Sequence, residues 1–109
     1  MRKYVDFHLH TYYSDGEDSP RVLVERAIAA KLEAIAITDH GTIRGVPEAM
    51  RYSQGKIKVI PGIELSCDEQ ALNIIDIHII GLFIDPSHQL FLRWLASAKE
   101  ATVRHKELI

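Results

Sequence analysis

A single cysteine, Cys67, stands in the whole sequence of 109 residues, so no disulfide can form within one chain and no thiolate cluster can hold a metal. An excess of one charge is also missing: 13 Lys and Arg against 15 Asp and Glu leave a formal net charge of -2. Without a basic field there is no general attraction for nucleic acid or an anionic membrane, and a nucleic-acid substrate would have to be held locally. Long apolar runs are absent too. The longest, around Ile74 to Ile84, is broken by Asp76 and His78 and is too short to span a bilayer. The opening Met-Arg-Lys-Tyr-Val-Asp lacks the apolar core of a signal peptide, which makes the cytoplasm the expected address and excludes a membrane partner from the expectation. With 47% hydrophobic and 26% charged residues, the composition is that of a soluble globular chain with one core, hence one domain over residues 1–109.

Periodicity and punctuation order the elements. Tyr4 to His8 reads as a short strand. Ser19 as N-cap and Pro20 at the first helical position predict a helix to about Lys31, with Val22, Leu23, Arg26, Ala27 and Ala30 on its buried stripe. Ala34 to Thr38 is a continuous small and β-branched run, the pattern of a strand covered on both faces in a parallel sheet. It ends directly at Asp39-His40-Gly41. A weaker helix is expected over Val46 to Ser53, stopped by Gly55. Ile57 to Ile60 leads through Pro61-Gly62 to a third strand end at Glu64, and Ile74 to Phe83 is a fourth strand candidate carrying His78. From Ser87 onward, Leu90, Phe91, Trp94, Leu95, Ala98, Ala101, His105 and Leu108 fall at helical spacing on one face. Strands alternating with helices predict an α/β fold of βα units, with a parallel sheet and right-handed crossovers.

In such a sheet the polar groups at strand ends share one rim, the edge at which α/β folds bind ligands. The run Asp6-Phe7-His8-Leu9-His10-Thr11-Tyr12-Tyr13-Ser14-Asp15-Gly16 places two imidazoles two residues apart. On an extended strand residues i and i+2 point to the same side, so His8 and His10 project together and suit two nitrogens on one metal ion. Asp39 with His40, Glu64 and His78 arrive at the same rim from other segments. Each also has a plain reading. A lone strand histidine is commonly a satisfied sheet residue, Asp15 before Gly16 suits a turn, Thr38-Asp39-His40-Gly41 suits a helix cap or loop, and Glu64 suits an exposed strand end. The convergence of four of the six histidines with these carboxylates favours a metal centre over that many separate accidents. His88 and His105 are read as solvated or packed.

These residues resemble the PHP (polymerase and histidinol phosphatase) family. Its first motif is similar to Asp6-x-His8-x-His10-Thr11-x-x-Ser14-Asp15-Gly16, its second to Thr38-Asp39-His40-Gly41, its third to Pro61-Gly62-Ile63-Glu64, and its next ligand strand to His78-Ile79-Ile80-Gly81-Leu82. Glu64-Leu65-Ser66-Cys67, with Gly81 to Asp85 and the helix after it, looks most like the stand-alone phosphoesterase branch. That branch includes AMP and nucleoside 3',5'-bisphosphate phosphatases and a 5'-to-3' exoribonuclease activity. The resemblance implies the N-terminal part of a distorted (β/α)7 TIM-like barrel, whose complete rim holds two or three Mn, Zn or Fe ions. It implies His8 and His10 on one metal, Glu64 bridging that metal to a second, His78 on the second, and Asp15 and His40 on a third. Asp6 and Asp39 would orient imidazoles by accepting their remaining N–H. The implied reaction is hydrolysis of phosphate mono- or diesters of nucleotides or oligonucleotides by a metal-activated hydroxide.

Length departs from the family. Barrels of this kind need roughly twice as many residues, and the family's later strands supply another His and a closing Asp and His pair without counterparts among these 109 residues. The expectation is the N-terminal piece of a longer protein, or a homodimer in which a second copy completes the barrel. Three alternatives stand beside the enzyme: a non-catalytic metal-binding or interaction module, a PHP domain accessory to a DNA polymerase, and an amidohydrolase-type enzyme. Ser14-Asp15-Gly16 and Pro61-Gly62-Ile63-Glu64 speak against the last. Arg2, Arg44 and Arg51 are candidates to meet phosphate, with nothing in the sequence to separate them from surface arginines.

Overall fold

Every side chain of Ala34-Ile35-Ala36-Ile37 is apolar, and its alternation of small with branched residues decides how the molecule layers around it. On a strand, Ile35 and Ile37 point one way and Ala34 and Ala36 the other. The computed structural model describes residues 2–69 and 74–97. Its elements run β1 (Val5–Leu9), α1 (Pro20–Ala29), β2 (Ala34–Ile37), α2 (Val46–Ser53), β3 (Lys58–Glu69) and β4 (Ile74–Leu82), followed by a helix over 89–97. The sheet order is β1-β2-β3-β4, with β2 parallel to both its neighbours and buried throughout, as its composition requires.

Ile35 and Ile37 face the helices, packing with Val24 and Ala27 of α1 and with Val46 and Ala49 of α2. Full burial of each isoleucine contributes about 1.5–3 kcal/mol. Ala34 and Ala36 face the other way, with Ile60, Phe7 and Leu82. Both helices therefore cover one face, as right-handed crossovers demand when strands are laid down in the order β1, β2, β3. The opposite face, lined by the small side chains, is the inner side of a partial (β/α) barrel.

Ser19 caps α1 as its sequence predicts: the Ser19 hydroxyl oxygen accepts the Val22 N–H at 3.2 Å, and Pro20 opens the first turn. The helix ends at Ala29 rather than near Lys31, because Lys31 turns into the left-handed region at φ 61°. There the Lys31 N–H donates to the Ile28 carbonyl at 2.9 Å and the Leu32 N–H reaches back to Ala27 at 3.1 Å, a closure usually built on glycine. Lys31→Gly removes the Cβ strain and is expected to raise the unfolding free energy by about 1 kcal/mol. A higher urea midpoint at unchanged slope is the readout; a midpoint that stays put or falls would mean the turn is not under that strain. The buried stripe also needs correction. Pro20, Val24 and Ala27 are buried and Leu23 is partly so, whereas Val22, Arg26 and Ala30 are exposed. The helix rests on the sheet along the 20, 24, 27 line, which turns Arg26 outward to pair with Asp18 at 2.8 Å.

A second correction concerns β4, which pairs with β3 antiparallel, from Gly62 opposite Leu82 to Glu69 opposite Ile74. Only four residues, 70–73, separate the two strands in sequence, too few for the crossover a parallel pair needs. The sheet is therefore mixed, not all parallel. β3 also runs past the expected end at Glu64. It pairs with β2 as far as Pro61 and with β4 from Gly62 onward, so that proline, lacking an N–H, sits where the strand changes partner. In the last helix Phe91 stacks on Trp94 with ring centroids 6.3 Å apart. Ala98, Ala101, His105 and Leu108 of its expected face lie outside the described residues. Among the described residues no helix is long and apolar enough to cross a membrane.

Candidate metal centre

The two-residue spacing of His8 and His10, where β1 gives way to the loop, sends both Nε2 atoms to one oxygen. They lie 2.5 Å and 3.1 Å from Glu64 Oε1. Backbone bonds hold Glu64 level with them: the Gly41 N–H donates to the Glu64 carbonyl at 2.9 Å, and the Glu64 N–H to the Asp39 carbonyl at 3.0 Å. This extends the β2–β3 pairing to His40 and brings His40 Nδ1 within 3.2 Å of Glu64 Oε2. His78 Nδ1 reaches the same oxygen from β4 at 2.9 Å. The antiparallel register is what allows it. Ile80 stands opposite Glu64, so His78, two residues away, is the diagonal neighbour on the same face. Asp15 closes the other side, with Oδ1 2.6 Å from His10 Nδ1 and Oδ2 3.2 Å from His40 Nε2. The structure thus brings together His8, His10, Asp15, His40, Glu64 and His78, the six residues the resemblance implies as ligands.

Glu64 is no exposed strand-end charge: its side chain is 5% accessible. Burial by itself would push its carboxyl pKa up, but hydrogen bonds with His8 and His10, and the charges of His40 and His10, outweigh it and hold the group below the usual carboxylate range. The same opposition acts on Asp15, where desolvation pushes upward and the hydrogen bond and charge of His10, with the charge of His40, bring the pKa below normal. Among the described residues neither carboxylate pairs with Lys or Arg.

Both ring nitrogens of His10, and both of His40, face carboxylate oxygens. A neutral imidazole carries one N–H and one lone pair, so in each ring one nitrogen would set its lone pair against an oxygen. Protonation relieves that opposition, and so does a cation shared between nitrogen and oxygen. Nitrogen–oxygen separations of 2.5–3.2 Å also resemble those of two ligands on one ion when each bond is about 2.1 Å. The donor set fits divalent ions that accept mixed nitrogen and oxygen ligands.

Comparison with known proteins points the same way. Residues 6–104 match the PHP domain. The chain belongs to the PHP domain family. It is 36% identical over 107 residues to the 5'-3' exoribonuclease Rnm of Escherichia coli, a match covering 95% of this chain and 36% of the relative. Identity to the 3',5'-nucleoside bisphosphate phosphatase of Chromobacterium violaceum is 32% over 97 residues, covering 88% of this chain and 33% of that protein. A solved structure from Bifidobacterium adolescentis, described as a candidate metal-dependent phosphoesterase, superposes with a TM-score of 0.80 at 31% identity, over 94% of this chain and 35% of that one. The PHP chain therefore spans about a third of the length of these relatives.

Within this PHP domain, and among the described residues, Asp6 and Asp39 bond backbone and hydroxyl groups and no imidazole, where the expectation for both is an imidazole N–H. Asp39 is fully buried. Its Oδ1 accepts the Thr11 N–H at 2.6 Å and the Ser14 hydroxyl at 2.7 Å, while Oδ2 accepts the Thr11 hydroxyl at 2.6 Å. Asp6 Oδ1 accepts the main-chain N–H of His8 at 3.1 Å. Glu64 and Asp15 already face both ring nitrogens of His10 and of His40, and these two carboxylates hold backbone and hydroxyls instead. Asp39 in particular grips the loop between His10 and Asp15. Gly16 completes that loop: its N–H donates to the Thr11 carbonyl at 2.9 Å, and a Cβ there would lie 2.2 Å from the His10 carbonyl oxygen. The parts played by Thr11 and Ser14 were missed in the sequence. Their signal was Asp39 itself, a carboxylate closing an all-apolar strand, which must find donors if buried. His88 stands apart from the cluster, its Nδ1 3.4 Å from the Phe91 N–H.

Proposed function

We propose that this chain supplies metal ligands to a phosphoesterase that hydrolyses phosphate mono- or diesters of nucleotides or oligonucleotides, with Mn, Zn or Fe as its ions. Glu64 carries the reading. Each of its two oxygens faces two imidazoles, Oε1 those of His8 and His10 and Oε2 those of His40 and His78. A buried carboxylate shared in this way is suited to set the spacing of two ions and to offset part of their charge. His8 and His10 with Glu64 would hold one ion, His40 and His78 with Glu64 a second, and His10, Asp15 and His40 are candidates for a third. When bound, such ions supply Lewis acidity toward phosphoryl oxygens and bring the pKa of water toward neutrality.

The chain's own contribution is placement. Strand pairing fixes His40 and His78 against Glu64, and Asp39 fixes the loop that presents Asp15. His8 and His78, with side chains 55% and 40% accessible, line the open side toward which substrate would come, while Glu64 forms the floor. The names of two relatives, an exoribonuclease and a nucleoside bisphosphate phosphatase, support the substrate class. Among the described strands β1 pairs only with β2, which leaves an edge for further strands to complete the barrel, from the same polypeptide or from a second copy. A lone cysteine suits the cytoplasm as the setting.

The test is phosphate release from a nucleoside 5'-monophosphate, a nucleoside 3',5'-bisphosphate and a 5'-phosphorylated oligonucleotide, with added Mn and with chelator. Turnover with Mn that chelator abolishes is the expected result. Metal bound at the site without turnover of any ester would overturn the enzyme reading in favour of a binding module.

A further inference from the structure

We infer that Arg44, held against the ring of Tyr13, grips a second phosphate of the substrate, one that is not hydrolysed, and so selects nucleotides carrying two phosphate groups. The inference rests on the phosphoesterase reading above and adds the residue that chooses among its substrates.

The guanidinium of Arg44 lies 5.1 Å from the centre of the Tyr13 ring. Among the described residues it makes no ion pair, whereas Arg21 pairs with Glu25 and Arg26 with Asp18. A guanidinium stacked on an aromatic face keeps its N–H edge free and loses little freedom on binding, which suits bidentate contact with phosphate. Its partner Tyr13 is two residues before Asp15, and Arg44 itself is four residues after His40, so each comes from a loop that carries a candidate ligand.

One buried hydroxyl fixes both loops. Thr11 Oγ1 accepts the Tyr13 N–H at 3.2 Å while donating to Asp39 at 2.6 Å. Gly45, next to Arg44, packs onto the same pair: a Cβ there would stand 3.1 Å from Thr11 Oγ1 and 3.3 Å from Asp39 Oδ2. The Arg44 N–H is itself held by Thr42 Oγ1 at 3.1 Å. The arginine thus adjoins a glycine that packs on the Asp39 node, which also holds the Asp15 loop.

The structure also separates it from the other arginines that could meet phosphate. Arg51 is in the last turn of α2, about 8 Å along the helix axis from the start of the helix that follows this loop. Arg2 precedes β1, at the strand end opposite His8 and His10. Ions at the Glu64 centre would neutralise a reacting phosphoryl group; a phosphate elsewhere on the same substrate needs a protein cation, and of the three arginines Arg2, Arg44 and Arg51 it is Arg44 that lies in a loop leading from a candidate ligand. Nucleoside bisphosphates and oligonucleotides share that second phosphate.

Binding of non-hydrolysable adenosine 5'-phosphonates to the Mn-loaded protein, followed by calorimetry, tests the assignment. Three probes suffice: the plain phosphonate, the same compound with a 3'-phosphate, and a dinucleotide in which a phosphodiester occupies that place. The unaltered protein is expected to bind at least one of the two probes that carry a second phosphate group about tenfold more tightly than the plain one. A preference for the 3'-phosphate alone marks a bisphosphate enzyme, and a preference for the dinucleotide alone marks an oligonucleotide enzyme. Arg44→Ala should bring the ratio close to one and Arg44→Lys should keep part of it, while Arg51→Ala leaves it as it was. Equal affinities in the unaltered protein, a ratio that survives Arg44→Ala, or an equal fall in Arg51→Ala would overturn the role of Arg44 while the phosphoesterase reading stands. Failure of the Mn-loaded protein to bind even the plain phosphonate would overturn both.

Discussion

Protein carrying Glu64→Ala, purified without chelator, is expected to retain less than about a tenth of the metal bound by the unaltered chain. Loss of even an outlying hydrogen-bond partner costs metal sites about 10–100-fold in affinity, and Glu64 is the residue on which His8, His10, His40 and His78 all converge. Elemental analysis by inductively coupled plasma mass spectrometry reads the result directly. Full retention would show that the imidazoles hold their ions with Asp15 alone and that Glu64 is a structural acid. Glu64→Gln separates charge from shape. The pKa of Glu64 is held below its ordinary 4.5, so its charged form stabilises the metal-free fold. That contribution is complete above the ordinary value and is lost as pH falls through the lowered one. The fall in urea midpoint between about pH 7 and about pH 3 should therefore be larger for the unaltered protein than for Glu64→Gln, which shares the acidification of every other group.

Asp39→Ala is expected to cost about 3–5 kcal/mol of stability and to weaken metal binding together with it. Three hydrogen bonds of 2.6–2.7 Å end on this one fully buried carboxylate. Its removal leaves the Thr11 N–H and hydroxyl without a partner in a place water does not reach, at about 1–3 kcal/mol for each stranded group. The metal effect follows from geometry: the freed segment leads from His10 to Asp15, whose mutual contact is 2.6 Å. Ile37→Ala is the control. It should cost a similar 2–5 kcal/mol through the cavity it opens against α1 and α2, yet leave the loop anchored and the metal affinity of the folded protein near its original value. Denaturant unfolding and metal titration on both variants would decide the matter, and a loss below about 1 kcal/mol in Asp39→Ala would contradict the buttress.

Much of this was legible in the residues because it rests on local rules. The spacing of His8 and His10 along a strand, the Ser19-Pro20 helix start, the wholly apolar β2 and the Gly55 stop after α2 each depend on neighbours within a few positions. The family motifs named the six candidate ligands for the same reason: each motif is short and sits at a strand end. Where local rules misjudged, a distant contact had the last word. Lys31 accepted a left-handed conformation to close α1, and Val24, not Val22, went into the core because the sheet lies on that side.

By itself, then, the chain's sequence determined the order of its elements, the all-apolar centre of its sheet and which side chains are able to bind metal, since period, capping and turn chemistry act between residues close along the backbone. Only the tertiary structure decided that β4 turns back antiparallel and so delivers His78, that Glu64 is buried beneath four imidazoles, that Asp39 grips Thr11 and Ser14 instead of a ring, and that Arg44 rests on Tyr13. These are choices of partner between residues as far as 56 positions apart. Such choices follow from which groups burial leaves in need of a donor, a quantity that exists only once the chain has folded.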